Sequence, residues 1–88
     1  MDIDERRGQI DEINMELKEL LLRRLALARQ IGREKAIMGS PVADPRREER
    51  ILAAVTADCG GDSTYVERIF REIFAVSREC QQSGGAEK

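Results

Sequence analysis

DIDERRGQIDEINMELKELLLRRLALARQIGREKAIM, residues 2–38, is the stretch that decides the fold. At about 100° per residue, Ile3, Ile10, Ile13, Leu17, Leu20, Leu21, Leu27, Ala28, Ile31 and Met38 fall within an arc of roughly 120° on one helix face. No proline interrupts the stretch and strong helix formers fill it, so the pattern predicts one helix from Asp2 or Asp4 to about Met38. Arg24 and Lys35 sit inside the same apolar arc. Taking a guanidinium or an ammonium out of water costs several kcal/mol unless an opposite charge meets it. Each therefore expects an acid from elsewhere in the fold or an anionic ligand.

About 35 helical residues at 1.5 Å each make a rod of about 50 Å, whereas a compact domain of this size has a radius of gyration of only about 13 Å. The rest of the chain is too short to cover such a stripe from end to end. A second copy is expected to supply the missing surface, and Leu22 and Leu25, outside the main arc, mark a second contact face. Gly39-Ser40-Pro41 ends the first helix. Asp44-Pro45 opens the second, with aspartate as N-cap and proline at the first helical position. This helix is expected to reach about Asp58, with Ile51, Leu52 and Val55 inward and Arg46, Glu49 and Arg50 outward, before Cys59-Gly60-Gly61 stops it. Asp62 or Ser63 caps a third helix through about Gln82, whose apolar face is Val66, Ile69, Phe70, Ile73 and Phe74. The fold class is all-α: one domain over residues 1–82, one long and two shorter helices, in an intertwined homodimer. Residues 83–88 are expected to form a disordered tail.

Composition narrows the function classes. Lysine and arginine number 15 against 17 acids, for a net charge of −2. Such a balance provides no global field toward nucleic acid or an anionic membrane, and aromatic platforms for bases are missing. Histidine is absent, and Cys59 and Cys80 lack metal-ligand or redox spacing; both read as small apolar fillers. The acidic start, without an apolar run, argues against a secretory signal, and no 18 apolar residues occur in succession. A cytoplasmic protein is expected.

Polar residues recur on inward faces of all three helices. Asp44, Arg47 and Glu48 project toward the side of Ile51, Leu52 and Val55, within roughly 140°. Ser77 and Gln81 continue the line of Val66, Phe70 and Phe74. Taken singly, Arg24 and Lys35 read as snorkelling stems or ion pairs, Arg7 as a solvated charge, Asp44 as a cap, Arg47 and Glu48 as surface charges, and Ser77 and Gln81 as helix-end residues. Their coincidence on three helices favours a small, multiply anionic ligand.

In this arrangement the chain resembles the AroQ-type, all-helical chorismate mutases from about Glu5 to Gln82. The resemblance is carried by Arg7 with Ile10 and Ile13, Arg23-Arg24 with Leu27-Ala28, and Gly32-Arg33-Glu34-Lys35. It continues through Pro41-Val42-Ala43-Asp44-Pro45-Arg46-Arg47-Glu48 and Ser77-Arg78-Glu79-Cys80-Gln81-Gln82. No single motif is specific; the register of the polar positions is.

The resemblance implies a monofunctional enzyme of aromatic amino acid biosynthesis in the shikimate pathway, turning chorismate into prephenate without metal or cofactor. It implies a homodimer in which Arg7 reaches the partner's site, although the helical projection alone favours Arg6 facing the stripe. Arg7, Arg24, Arg47 and Ser77 would bind the two substrate carboxylates, with Lys35 near one of them. Lys35 and Gln81 would donate to the ether oxygen, while Glu48 and the backbone near Asp44 would hold the ring hydroxyl. The catalytic set is thus Lys35, Gln81 and Arg24. Some relatives carry a carboxylic acid in place of Gln81. Two other readings remain open: isochorismate-pyruvate lyase of the same fold, in which the Glu48 position is apolar, and a noncatalytic helical dimerisation module whose charges are internal ion pairs.

Overall fold

A computed structural model describes residues 2–86, so the expectation of disorder at Glu87 and Lys88 lies outside the described residues. Helix α1 spans Ile3–Met38, capped by Asp2, whose Oδ1 accepts from the Glu5 N–H at 2.8 Å. It ends at Gly39 in the left-handed region (φ 70°), where Ser40 N–H donates to the Lys35 carbonyl at 2.9 Å. Glycine takes this conformation without the Cβ penalty other residues meet. Helix α2 spans Pro45–Thr56, with Asp44 Oδ1 accepting from Arg47 N–H at 3.2 Å. A 3-10 turn at Gly60–Asp62 leads into α3, Ser63–Ala86.

Two boundaries differ from those read in the sequence. Helix α2 stops two residues short of Asp58: Ala57 is extended and Asp58 has a φ of 60°. The stop is held by local acceptor use, since Thr56 Oγ1 donates to the Leu52 carbonyl at 2.6 Å and Cys59 Sγ donates to that of Val55 at 3.2 Å. Helix α3, expected to end near Gln82 with a disordered tail after it, instead continues to Ala86. Residues 83–86 contain no proline, and glycine at about 1 kcal/mol per position weakens a helix without ending it.

α3 lies along α1, and α2 packs on α3 but not on α1. Arg24 stands by Phe74 and Gly32 by Gln81, so α1 and α3 run in the same direction. They approach closely at Gly32, where a Cβ would lie 2.0 Å from the Gln81 carbonyl oxygen. Only glycine fits there. With α2 against α3 alone, the space between α2 and the C-terminal half of α1 is left open.

The buried apolar core is small: Ala28, Leu52 and Phe74. The chain measures 54 × 27 × 13 Å, little more than one helix diameter thick. Its radius of gyration is 16.1 Å, against about 13 Å for a compact domain of this size. Ile3, Ile10, Ile13, Leu17, Leu20 and Leu22 on α1 are all exposed. Ile69, assigned to the inward face of α3, is also exposed within one chain, at 60%. A helical stripe of this kind is stable only against a second layer, and a single chain has none to offer. Among the described residues no helix is long and apolar enough to cross a membrane.

Candidate active site

The open space between α1 and α2, floored by α3, is a cavity of about 410 Å3. Arg24 and Lys35 of α1, Asp44, Arg47 and Glu48 at the start of α2, and Ser77 and Gln81 of α3 all line it. Leu27, Ala28, Ile31, Val42, Ile51 and Phe74 supply apolar wall. Every inward polar residue read from the sequence therefore meets at one place, except Arg7. Some 26 Å of helix separates Arg7 from Arg24, and Arg7 is exposed, 4.0 Å from Asp4 on its own helix.

Arg24 holds its guanidinium carbon 6.0 Å from the centre of the Phe74 ring, at the outer range of a cation–π contact. Phe74 is 4% exposed and stacks at a tilt on Phe70, so the aromatic support is rigid. Lys35 Nζ donates to the Val42 carbonyl at 2.9 Å, which ties the ammonium to the 39–44 connection and leaves two of its three N–H donors uncommitted. Asp44 has one carboxylate oxygen engaged as the α2 cap. Ser77 is buried, and Gln81 Nε2 lies 3.5 Å from its Oγ.

Two features bear on charge. Among the described residues Arg24, Lys35 and Arg47 form no ion pair. Gln81 Oε1 is buried without a hydrogen-bond partner. A buried unsatisfied amide oxygen costs about 1–3 kcal/mol; turning the amide by 180° exchanges it for an equally unpartnered N–H, a donor that an anionic ligand can meet. Ser77 Oγ–H then donates to Oε1, and Nε2 becomes the free donor. The cavity thus combines cations and neutral donors with the carboxylates of Asp44 and Glu48, and Arg24, Lys35 and Arg47 have no ion-pair partner among the described residues, which suits the cavity to an anion.

Sequence reasoning missed Arg78. It lines the cavity, and its Nη1 donates to Glu48 Oε2 at 2.5 Å, joining α3 to α2. The helical period places Arg78 between faces, so its assignment depends on where α2 lies rather than on any local signal. The Val42 carbonyl was likewise unreadable, being a backbone atom brought to Lys35 by the connection after α1. Among the described residues no group of three or more His, Cys, Asp or Glu is arranged to hold a metal ion, and Cys59 and Cys80 are free thiols.

A family model described as chorismate mutase type II matches residues 6–82. The T-protein of Enterobacter agglomerans is similar, with 29% identity over 82 residues. The match covers 90% of this chain but 22% of the T-protein, so the chain spans about a fifth of that relative's length.

Proposed function

The chain belongs to the type II chorismate mutase family, and from that premise we propose that it converts chorismate to prephenate at the cavity between α1, α2 and α3. The reaction is an intramolecular Claisen rearrangement: one C–O bond breaks and one C–C bond forms within a single dianion. It needs no nucleophile and no proton transfer. A protein can accelerate it by holding the substrate in its reactive conformer and by stabilising negative charge as it grows on the ether oxygen.

The observation that carries the proposal is the convergence of Arg24, Lys35, Arg47, Ser77 and Gln81 from three helices on one cavity. In the proposed complex Arg24, Arg47 and Ser77 bind the carboxylates, Lys35 and Gln81 donate to the ether oxygen, and Glu48 with the backbone near Asp44 takes the ring hydroxyl. The lack of ion pairs on Arg24, Lys35 and Arg47 supports this reading over a noncatalytic module with internal charge pairs. The carboxylate of Glu48 beside the ring site supports a mutase over an isochorismate-pyruvate lyase.

The proposal extends to a homodimer acting in the cytoplasm in aromatic amino acid biosynthesis. The exposed α1 stripe and the one-helix thickness support a second copy as its cover. In that dimer Arg7 completes the partner's site. Arg7→Ala and Arg24→Ala proteins are each expected to be nearly inactive as homodimers. After subunit exchange, half the dimers are mixed and each has one intact site, so about a quarter of wild-type activity returns. Absence of recovery in verified mixed dimers contradicts the role in trans.

A neutral amide at residue 81 donates at any ordinary pH, whereas a carboxyl donates only while protonated. Gln81→Glu is therefore expected to keep activity at acidic pH and lose it as pH rises through the carboxyl's titration. Wild type stays active from mildly acidic to mildly alkaline pH. Rate profiles of the two proteins check this, and a wild-type rate collapsing above about pH 6 contradicts the assignment of Gln81.

A further inference from the structure

Glu48 is not alone at the ring end of the cavity. Arg78 Nη1 contacts its Oε2 at 2.5 Å, with the two side chains 37% and 27% exposed. The other ion pairs among the described residues, Arg7–Asp4 and Arg71–Glu67, join neighbours within one helix. Arg78–Glu48 instead spans two helices and 30 residues of sequence. Among the described residues Glu48 Oε1 accepts no hydrogen bond, so one oxygen is held by the guanidinium and the other remains for a ligand.

We propose that Arg78 is a specificity-determining residue that acts through Glu48, making the site select a ring hydroxyl over a ring ammonium. The inference rests on the proposed placement of the ring substituent at Glu48. An unpaired carboxylate attracts an ammonium more strongly than a hydroxyl, because charge-assisted hydrogen bonds are the stronger kind. Once Arg78 neutralises Glu48, that advantage is gone, and a second cation a few ångströms from the guanidinium is repelled. A neutral hydroxyl still donates to Oε1 and meets no such penalty. Arg78 thus keeps the acceptor and cancels the attraction that would admit the cationic analogue.

The experiment compares kcat/KM for chorismate and for the analogue with an ammonium in place of its ring hydroxyl, in wild type, Arg78→Leu, Arg78→Lys and Glu48→Gln. Arg78→Leu is expected to lower the preference for hydroxyl by about tenfold or more. Arg78→Lys keeps the cation and retains most of the preference. Glu48→Gln leaves Arg78 unpaired and raises the preference, a change of opposite sign that loss of packing does not produce. Thermal melts check folding, and Arg78→Gln repeats the neutral test if the leucine variant is unfolded. Unchanged preference in a folded neutral variant, with wild type active on chorismate, overturns the inference alone. A wild type inactive on both substrates overturns the proposed function and the inference with it.

Discussion

Replacing Lys35 with alanine is expected to lower kcat by about 100- to 1,000-fold, the scale seen when one donor to a developing oxyanion is removed. The effect falls on kcat because the ether oxygen carries little charge in the bound substrate and gains it as the C–O bond breaks. In the structure Lys35 Nζ already donates to the Val42 carbonyl at 2.9 Å. This bond fixes the ammonium before a substrate arrives, so little reorganisation is left for the transition state. Lys35→Met retains most of the aliphatic stem and removes every donor. It is expected to lose nearly as much kcat as alanine, which separates donation from packing. Loss of the Val42 contact costs about 1 kcal/mol of stability, a fall of about 4–8 °C in Tm, so kinetics are compared well below both melting transitions. Near-normal turnover in folded Lys35→Ala contradicts the role given to Lys35.

Gly32→Ala has the second large effect, and here stability and activity fall together. In a helix interior alanine is favoured over glycine by about 1 kcal/mol, so propensity alone predicts a gain. The built Cβ, however, sits 2.0 Å from the Gln81 carbonyl oxygen and 2.6 Å from its Cα. Backbone cannot rotate away as a side-chain tip can, so α1 and α3 must part by roughly 1 Å, and overpacking of this kind costs about 1–3 kcal/mol. For a domain of 88 residues, each net kcal/mol lowers Tm by about 4–8 °C. The displaced element carries Ser77 and Gln81, to which the proposed function gives contacts with substrate, and a 1 Å misplacement of such groups costs about 100-fold in rate. Thermal melts and steady-state kinetics on Gly32→Ala test both parts. A variant as stable and active as wild type contradicts the close contact.

The periodicity of α1 and the punctuation Gly39-Ser40-Pro41 and Asp44-Pro45 were legible in the sequence because each acts locally, through helix geometry, αL tolerance and capping. Arg24, Lys35, Glu48, Ser77 and Gln81 were legible because a polar residue in an apolar arc conflicts with its own helix. Arg78 creates no such conflict, and its pairing with Glu48 exists only through the packing of α2 on α3. Gly32 offers a weak signal, a mid-helix glycine, but its partner at Gln81 lies 49 residues away in sequence and is set by tertiary contact. Arg7 is the reverse case, a position assigned by family register that its own chain leaves far from the cavity.

The most direct measurement of the proposed chemistry is product formation by the purified chain given chorismate, with isochorismate in parallel. Loss of chorismate matched by prephenate is expected, with no salicylate or pyruvate from isochorismate at comparable rate. No prephenate above the uncatalysed background from folded protein, or efficient salicylate and pyruvate release instead, contradicts the proposed chemistry.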